Sequence, residues 1–143
     1  MIDNSPILGP VTLLVAWSLV QWLWMYATRL PAISKAKIAL DNTVPPKTLM
    51  EQLPPSVRWK ADNYNHLMEQ PTLFYAIALT LAITDAGSGL NVIFAWFYVI
   101  LRIIHSLFQS TVNVIPARFV LHVLSTICLF GLTWGAAKVV FGL

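Results

Sequence analysis

Charge is scarce in this sequence, and cysteine scarcer still. Asp, Glu, Lys and Arg make up 10% of its 143 residues against 57% hydrophobic, with a mean hydropathy of +0.70, whereas an ordinary soluble domain carries about 25% charged residues. Such a composition excludes an ordinary soluble domain, and the length leaves room for one compact membrane domain over residues 1–143. The single cysteine, Cys128, lies within an apolar run. An internal disulfide and a cysteine metal cluster are thereby excluded, which leaves a small packed thiol. No repeat or low-complexity tract is present. The opening Met1-Ile2-Asp3-Asn4-Ser5-Pro6 has no basic residue, and the apolar run behind it is too long for the core of a cleaved signal, so that run is expected to be kept as a span.

What the chain has is length in apolar runs. Residues 7–27, 67–84, 90–108 and 119–141 approach or reach the roughly 20 residues that cross a bilayer as a helix. They predict an all-α integral membrane protein with helices over residues 7–28, 56–85, 90–112 and 117–141. The connections at Asp85-Ala86-Gly87-Ser88-Gly89 and Val114-Ile115-Pro116-Ala117 are short, which favours antiparallel neighbours and an up-down four-helix bundle. Pro10 and Pro71 stand near helix starts, where a missing amide donor is best tolerated. The first connection, from Arg29 to Arg58, turns to Lys, Pro, Asp and Asn with two Pro-Pro breakers and reads as a loop. Helix two is expected to start soon after Pro55 and to run past the bilayer surface, its first turns projecting into the cytoplasm, since residues 57–69 carry no turn signal.

Basic residues are unevenly placed. Arg29, Lys35, Lys37, Lys47, Arg58 and Lys60 belong to the first connection, Arg118 borders the third, and the second has none. By the positive-inside rule the first and third connections face the cytoplasm and both termini the other side, with Lys138 as the one contrary charge. The net charge of +3 reports orientation, and nucleic acid is not an expected partner.

Polar groups inside an apolar helix are costly in lipid and mark function by default. Arg102, His105, Ser106, Gln109 and Asn113 continue a line begun by Tyr98 along one side of a helix. Helix two carries Asp62, Asn65, His66 and Glu69 at helical spacing, helix four opens with Arg118, His122 and Ser125, and helix one ends with Gln21, Met25, Thr28 and Arg29. All four stripes fall in the cytoplasmic half of their helices, which points to one polar cleft. Glu69 and Arg102 are the deepest charges and are expected to pair with each other or through a ligand. His105 is a proton carrier, a haem ligand or a satisfied bundle histidine; axial ligation with His66 or His122 is disfavoured because neither stands at a matching depth in the sequence. No metal site is expected. The tryptophans suit interface belts or packing.

The chain resembles the MAPEG family, the membrane-associated proteins of eicosanoid and glutathione metabolism, as a bacterial-type member. The motifs are Asn65-His66-Leu67-Met68-Glu69-Gln70-Pro71, then Arg102-x-x-His105, then Pro116-Ala117-Arg118, in the mutual spacing of the prostaglandin E synthase branch for the last two. The resemblance covers nearly all four helices. It implies a homotrimer with glutathione as co-substrate, held between subunits at the cytoplasmic side. Arg118 matches the arginine thought to hold the cofactor sulfur as thiolate, sensible because a guanidinium lowers a thiol pKa. Asn65, Glu69, Arg102, His105, Gln109 and Arg29 are the implied binding residues.

Three positions depart from the family pattern. Asn65 and Glu69 are four apart where three is usual, Tyr64 stands where an arginine often precedes the Asn, and Gln109 replaces a tyrosine that often meets the thiol. Two functions follow as expectations. One is a glutathione transferase or peroxidase-like enzyme whose thiol attacks a lipophilic substrate arriving from the bilayer. The other is a noncatalytic membrane protein that keeps the cleft for a lipid or partner.

Overall fold

The computed structural model describes residues 4–143, and among them every regular element is a helix. In chain order these are α1 (Leu8–Ala36), α2 (Pro46–Met50), α3 (Pro55–Leu67), α4 (Pro71–Ile83), α5 (Leu90–Thr111) and α6 (Ile115–Phe141). Three of them, α1, α5 and α6, are long and apolar enough to cross a membrane. Their outward faces carry Leu19, Leu23, Phe97, Ile100, Phe130 and Trp134 to the surface, the pattern of helices solvated by lipid.

At 29 residues α1 is roughly 43 Å long, so it outruns the hydrocarbon layer and carries Arg29 and Lys35 beyond it. The sequence places a loop from Arg29 onward; the helix instead runs on for two turns. Pro31 removes one amide donor but leaves the φ of a helix intact, and the true stop is Lys37, left-handed at φ 51°. Within the remaining connection Asp41 accepts from the Thr43 amide at 2.8 Å and its hydroxyl at 2.7 Å, which holds the carboxyl below its ordinary range. Pro46 then starts the single turn of α2.

Helix two is not continuous as expected over residues 56–85. It is two 13-residue helices meeting at Met68-Glu69-Gln70. Pro71 has no amide to offer the Leu67 carbonyl, and the backbone tightens to three-residue bonds, Met68 N–H to Asn65 at 3.0 Å and Glu69 N–H to His66 at 3.2 Å. The kink turns Glu69 outward.

The core lies where α4, α5 and α6 meet α1. Phe74 stacks on Tyr98 with ring centres 4.5 Å apart, and Leu14, Ala78, Leu81, Leu129 and Leu132 close around them. The α5–α6 pair is drawn together by glycines: a Cβ on Gly131 would stand 2.9 Å from the Phe94 ring, and one on Gly135 would strike Asn91. A tight turn joins the pair, with Asn113 left-handed at φ 49° and its amide bonded to Phe108 O at 2.6 Å. That turn sets Arg118 in the first turn of α6 directly above the polar stripe of α5.

Candidate functional site

The α5 stripe faces inward. Tyr98, Arg102, His105, Ser106, Gln109 and Ser110 are all buried. Their neighbours are supplied by α1, α3 and α6.

Between α1, α3 and α5 sits a hydrogen-bond node on Asn63. Its amide donates to Gln21 Oε1 at 3.0 Å and to Ser106 Oγ at 2.6 Å, and Ser110 Oγ donates to the same Gln21 oxygen at 3.3 Å. The two amides, only 1% exposed, are thus tied to each other and to α5 across three helices, while Gln21 Nε2 and Asn63 Oδ1 are buried without partners. Next to the node Lys60 donates to the Ser110 carbonyl at 3.3 Å.

One turn deeper along α5 the three histidines of the chain converge. The His66 ring lies 4.8 Å from His105 and 5.4 Å from His122, with 6.3 Å closing the triangle. Read in sequence, these residues do not share a depth; the kink after Leu67 and the short α5–α6 turn bring them to one. Arg102 Nη1 stands 3.2 Å from His122 Nδ1. A guanidinium only donates, so that nitrogen is the acceptor and His122 is neutral with its proton on Nε2. His66 Nδ1 faces Glu69 Oε2 at 3.6 Å. Among the described residues no group of three His, Cys, Asp or Glu is arranged to hold a metal ion.

The expected Glu69–Arg102 pair is not formed. Among the described residues the sole acid–base contact within 4.0 Å is the His66–Glu69 one. Arg102 is 1% exposed with Nε and Nη2 lacking partners, while the Glu69 side chain is 72% exposed. The kink carries the carboxylate to the surface and away from the guanidinium.

Above the histidines opens a polar cavity of about 410 Å³, lined by Asp62, Asn65, His66, Glu69, Gln109 and Arg118. Four of the seven residues singled out in the sequence therefore meet in one place. Arg118 spends Nη1 on Asn113 Oδ1 at 2.6 Å and keeps a buried Nε without a partner, as Gln109 does with Oε1. Arg102 and His105 are not lining residues; they lie beneath, behind His66. Arg29 is elsewhere: it lines a separate cavity of about 640 Å³ with Lys47, Met50 and Arg58, its Nε 3.3 Å from Met50 Sδ. Asp62 and Asn65 border both cavities.

Sequence reading passed over Asn63, because it lies off the Asp62–Asn65–Glu69 stripe. It lies instead four residues before Leu67 on the buried line that continues through Phe74, Ala78 and Leu81. A polar residue on that line is the available signal. His66, one member of the helix-two stripe in the sequence, is the link between cavity and buried cluster.

A bundle of apolar helices with a converged polar interior defines an integral membrane protein. The family model for the MAPEG family matches residues 7–138, and the chain belongs to that family. Comparison with curated proteins and with solved structures found no match.

Proposed function

We propose that this is a membrane-embedded glutathione-dependent transferase or peroxidase-like protein that activates the glutathione thiol against lipophilic electrophiles. Family membership supports a role in this range, and the observation that carries the reading is the cavity over the histidines. At about 410 Å³ it falls in the roughly 300–1,000 Å³ range of small-molecule sites. Its groups suit an anionic thiol peptide: Arg118 offers a positive charge with one buried N–H unspent, Gln109 and Asn65 offer amides, and Glu69 and Asp62 offer acceptors for an amine. When bound, glutathione supplies a nucleophilic sulfur. Arg118 would hold that sulfur as thiolate, Asn65, Glu69 and Gln109 would orient the peptide, and Arg102 with His105 would set the charge beneath it.

The same reading includes the finer architecture. In it α3 and α4 together form one kinked span, the bundle is four spans running up and down, and three copies assemble as a bacterial-type MAPEG homotrimer whose neighbours could bring Arg29 into the site. The first and third connections then face the cytoplasm and the termini the opposite side, as the basic residues indicate.

A noncatalytic binding role is the second reading, and one contact favours it: Arg118 is already bonded to Asn113, as a structural arginine would be. Calorimetry of glutathione on the purified protein in detergent decides between them. Saturable binding supports the enzyme. Silence to millimolar concentration retires it in favour of the binding protein.

A further inference from the structure

We infer that His66 is the proton acceptor of the cavity, taking the thiol proton on Nε2 while Arg118 holds the sulfur; this rests on the thiol reading above. Of the three clustered histidines, His66 alone lines the cavity. His105 is 2% exposed beneath it, and the Nδ1 of His122 is engaged by Arg102.

The orientation of His66 suits a base. Its Nδ1 faces Glu69 Oε2 at 3.6 Å, longer than a hydrogen bond but near enough for the carboxylate to favour the proton on Nδ1, which leaves the Nε2 lone pair free. Such contacts commonly tighten only when ligand is present. The arrangement is the one in which a base is itself steered by a third group. Asp62 and Glu69 also line the cavity, but in the reading above they serve as acceptors for the peptide amine, which leaves the neutral imidazole of His66 as the lining group with a free lone pair for the proton.

The charged and titratable groups that face His66 come from four segments. Asp62 stands on its own helix and Glu69 at the kink; Arg102 and His105 approach from α5, Arg118 and His122 from α6. Two guanidiniums against one nearby carboxylate oppose a lone imidazolium. A thiolate formed in the same step supplies the missing negative charge, so proton and sulfur separate as a pair: the S–H bond breaks, an Nε2–H bond forms, and the net charge of the cavity is unchanged. The proton stays in the protein.

That retention is what an experiment reads. Glutathione is titrated calorimetrically near neutral pH in buffers of different ionisation enthalpy, which counts protons released, while thiolate absorbance reports the bound sulfur. Wild type should form thiolate with close to no proton released; His66→Gln, where thiolate still forms, should release close to one proton per thiolate. S-methylglutathione has no thiol proton and should give the same count in both proteins. Equal counts for glutathione in the two proteins overturn the assignment. So does a full proton released by wild type, which needs no variant and covers a His66→Gln that fails to fold. Bound glutathione that remains a thiol overturns it too, and absence of binding sinks the thiol reading and the base together.

Discussion

Arg102 reaches its nearest polar partner not in an acid but in a neutral histidine, Nη1 to His122 Nδ1 at 3.2 Å. Its two remaining nitrogens, Nε and Nη2, have no partner at all. A buried guanidinium left in this state makes its few contacts count.

The first prediction follows from that pairing. Thermal melts in detergent of Arg102→Met, His122→Ala and the double variant should show a coupling of about 0.5–3 kcal/mol, as for residues in contact. The cycle of Arg102→Met with Glu69→Gln should be additive within about 0.5 kcal/mol, because Glu69 is turned to the surface. Strong coupling in the second cycle would mean that the carboxylate reaches Arg102 in the working protein.

Asn63 should be costly to remove. Asn63→Ala deletes two donor contacts in the interior, leaving Ser106 Oγ without its donor and Gln21 Oε1 with Ser110 alone, so a loss of about 1–3 kcal/mol is expected from the melt. Asn65→Ala, two residues along and exposed, should change stability by no more than about 0.5 kcal/mol while weakening glutathione binding. A reversed order of the two melts would move the structural node off Asn63.

Arg118 separates chemistry from structure. Its bond to Asn113 spans the α5–α6 turn, so Arg118→Ala should lower the melt by a modest amount, about 1 kcal/mol. The thiolate absorbance of bound glutathione should fall far more clearly, since the positive charge that favours the thiolate is gone. Arg118→Lys should recover part of it, keeping the charge but losing the planar fork. Equal thiolate signal in all three proteins would leave Arg118 a turn anchor and nothing more.

Topology is open to labelling. In a Cys128→Ala background, Lys47→Cys should react with an impermeant thiol reagent from the cytoplasmic side and Ser88→Cys only from the other. Reaction of Ser88→Cys from the cytoplasm would invert the placement of the cavity.

Much of this was legible in the residues themselves. The apolar lengths mark α1, α5 and α6, and the 3.6-residue repeat of Tyr98, Arg102, His105 and Gln109 marks the inward side of α5. Periodicity is a property of one segment, and it succeeds where one segment decides. It failed at 68–70, where Pro71 breaks helix two although nothing in residues 57–69 announces a turn, and at the Glu69–Arg102 pair, which depends on the direction that break imposes.

From the sequence alone came the membrane character, the inward face of each long helix and the family resemblance, because hydropathy and spacing are local and survive without a fold. Only the tertiary structure decided that His66, His105 and His122 share one cluster, that Arg29 stands in a different cavity from Arg118, and that Asn63 ties three helices together. Those relations concern residues 17 to 89 positions apart, and they are set by helix kink, turn length and close glycine packing, none of which a helical wheel contains.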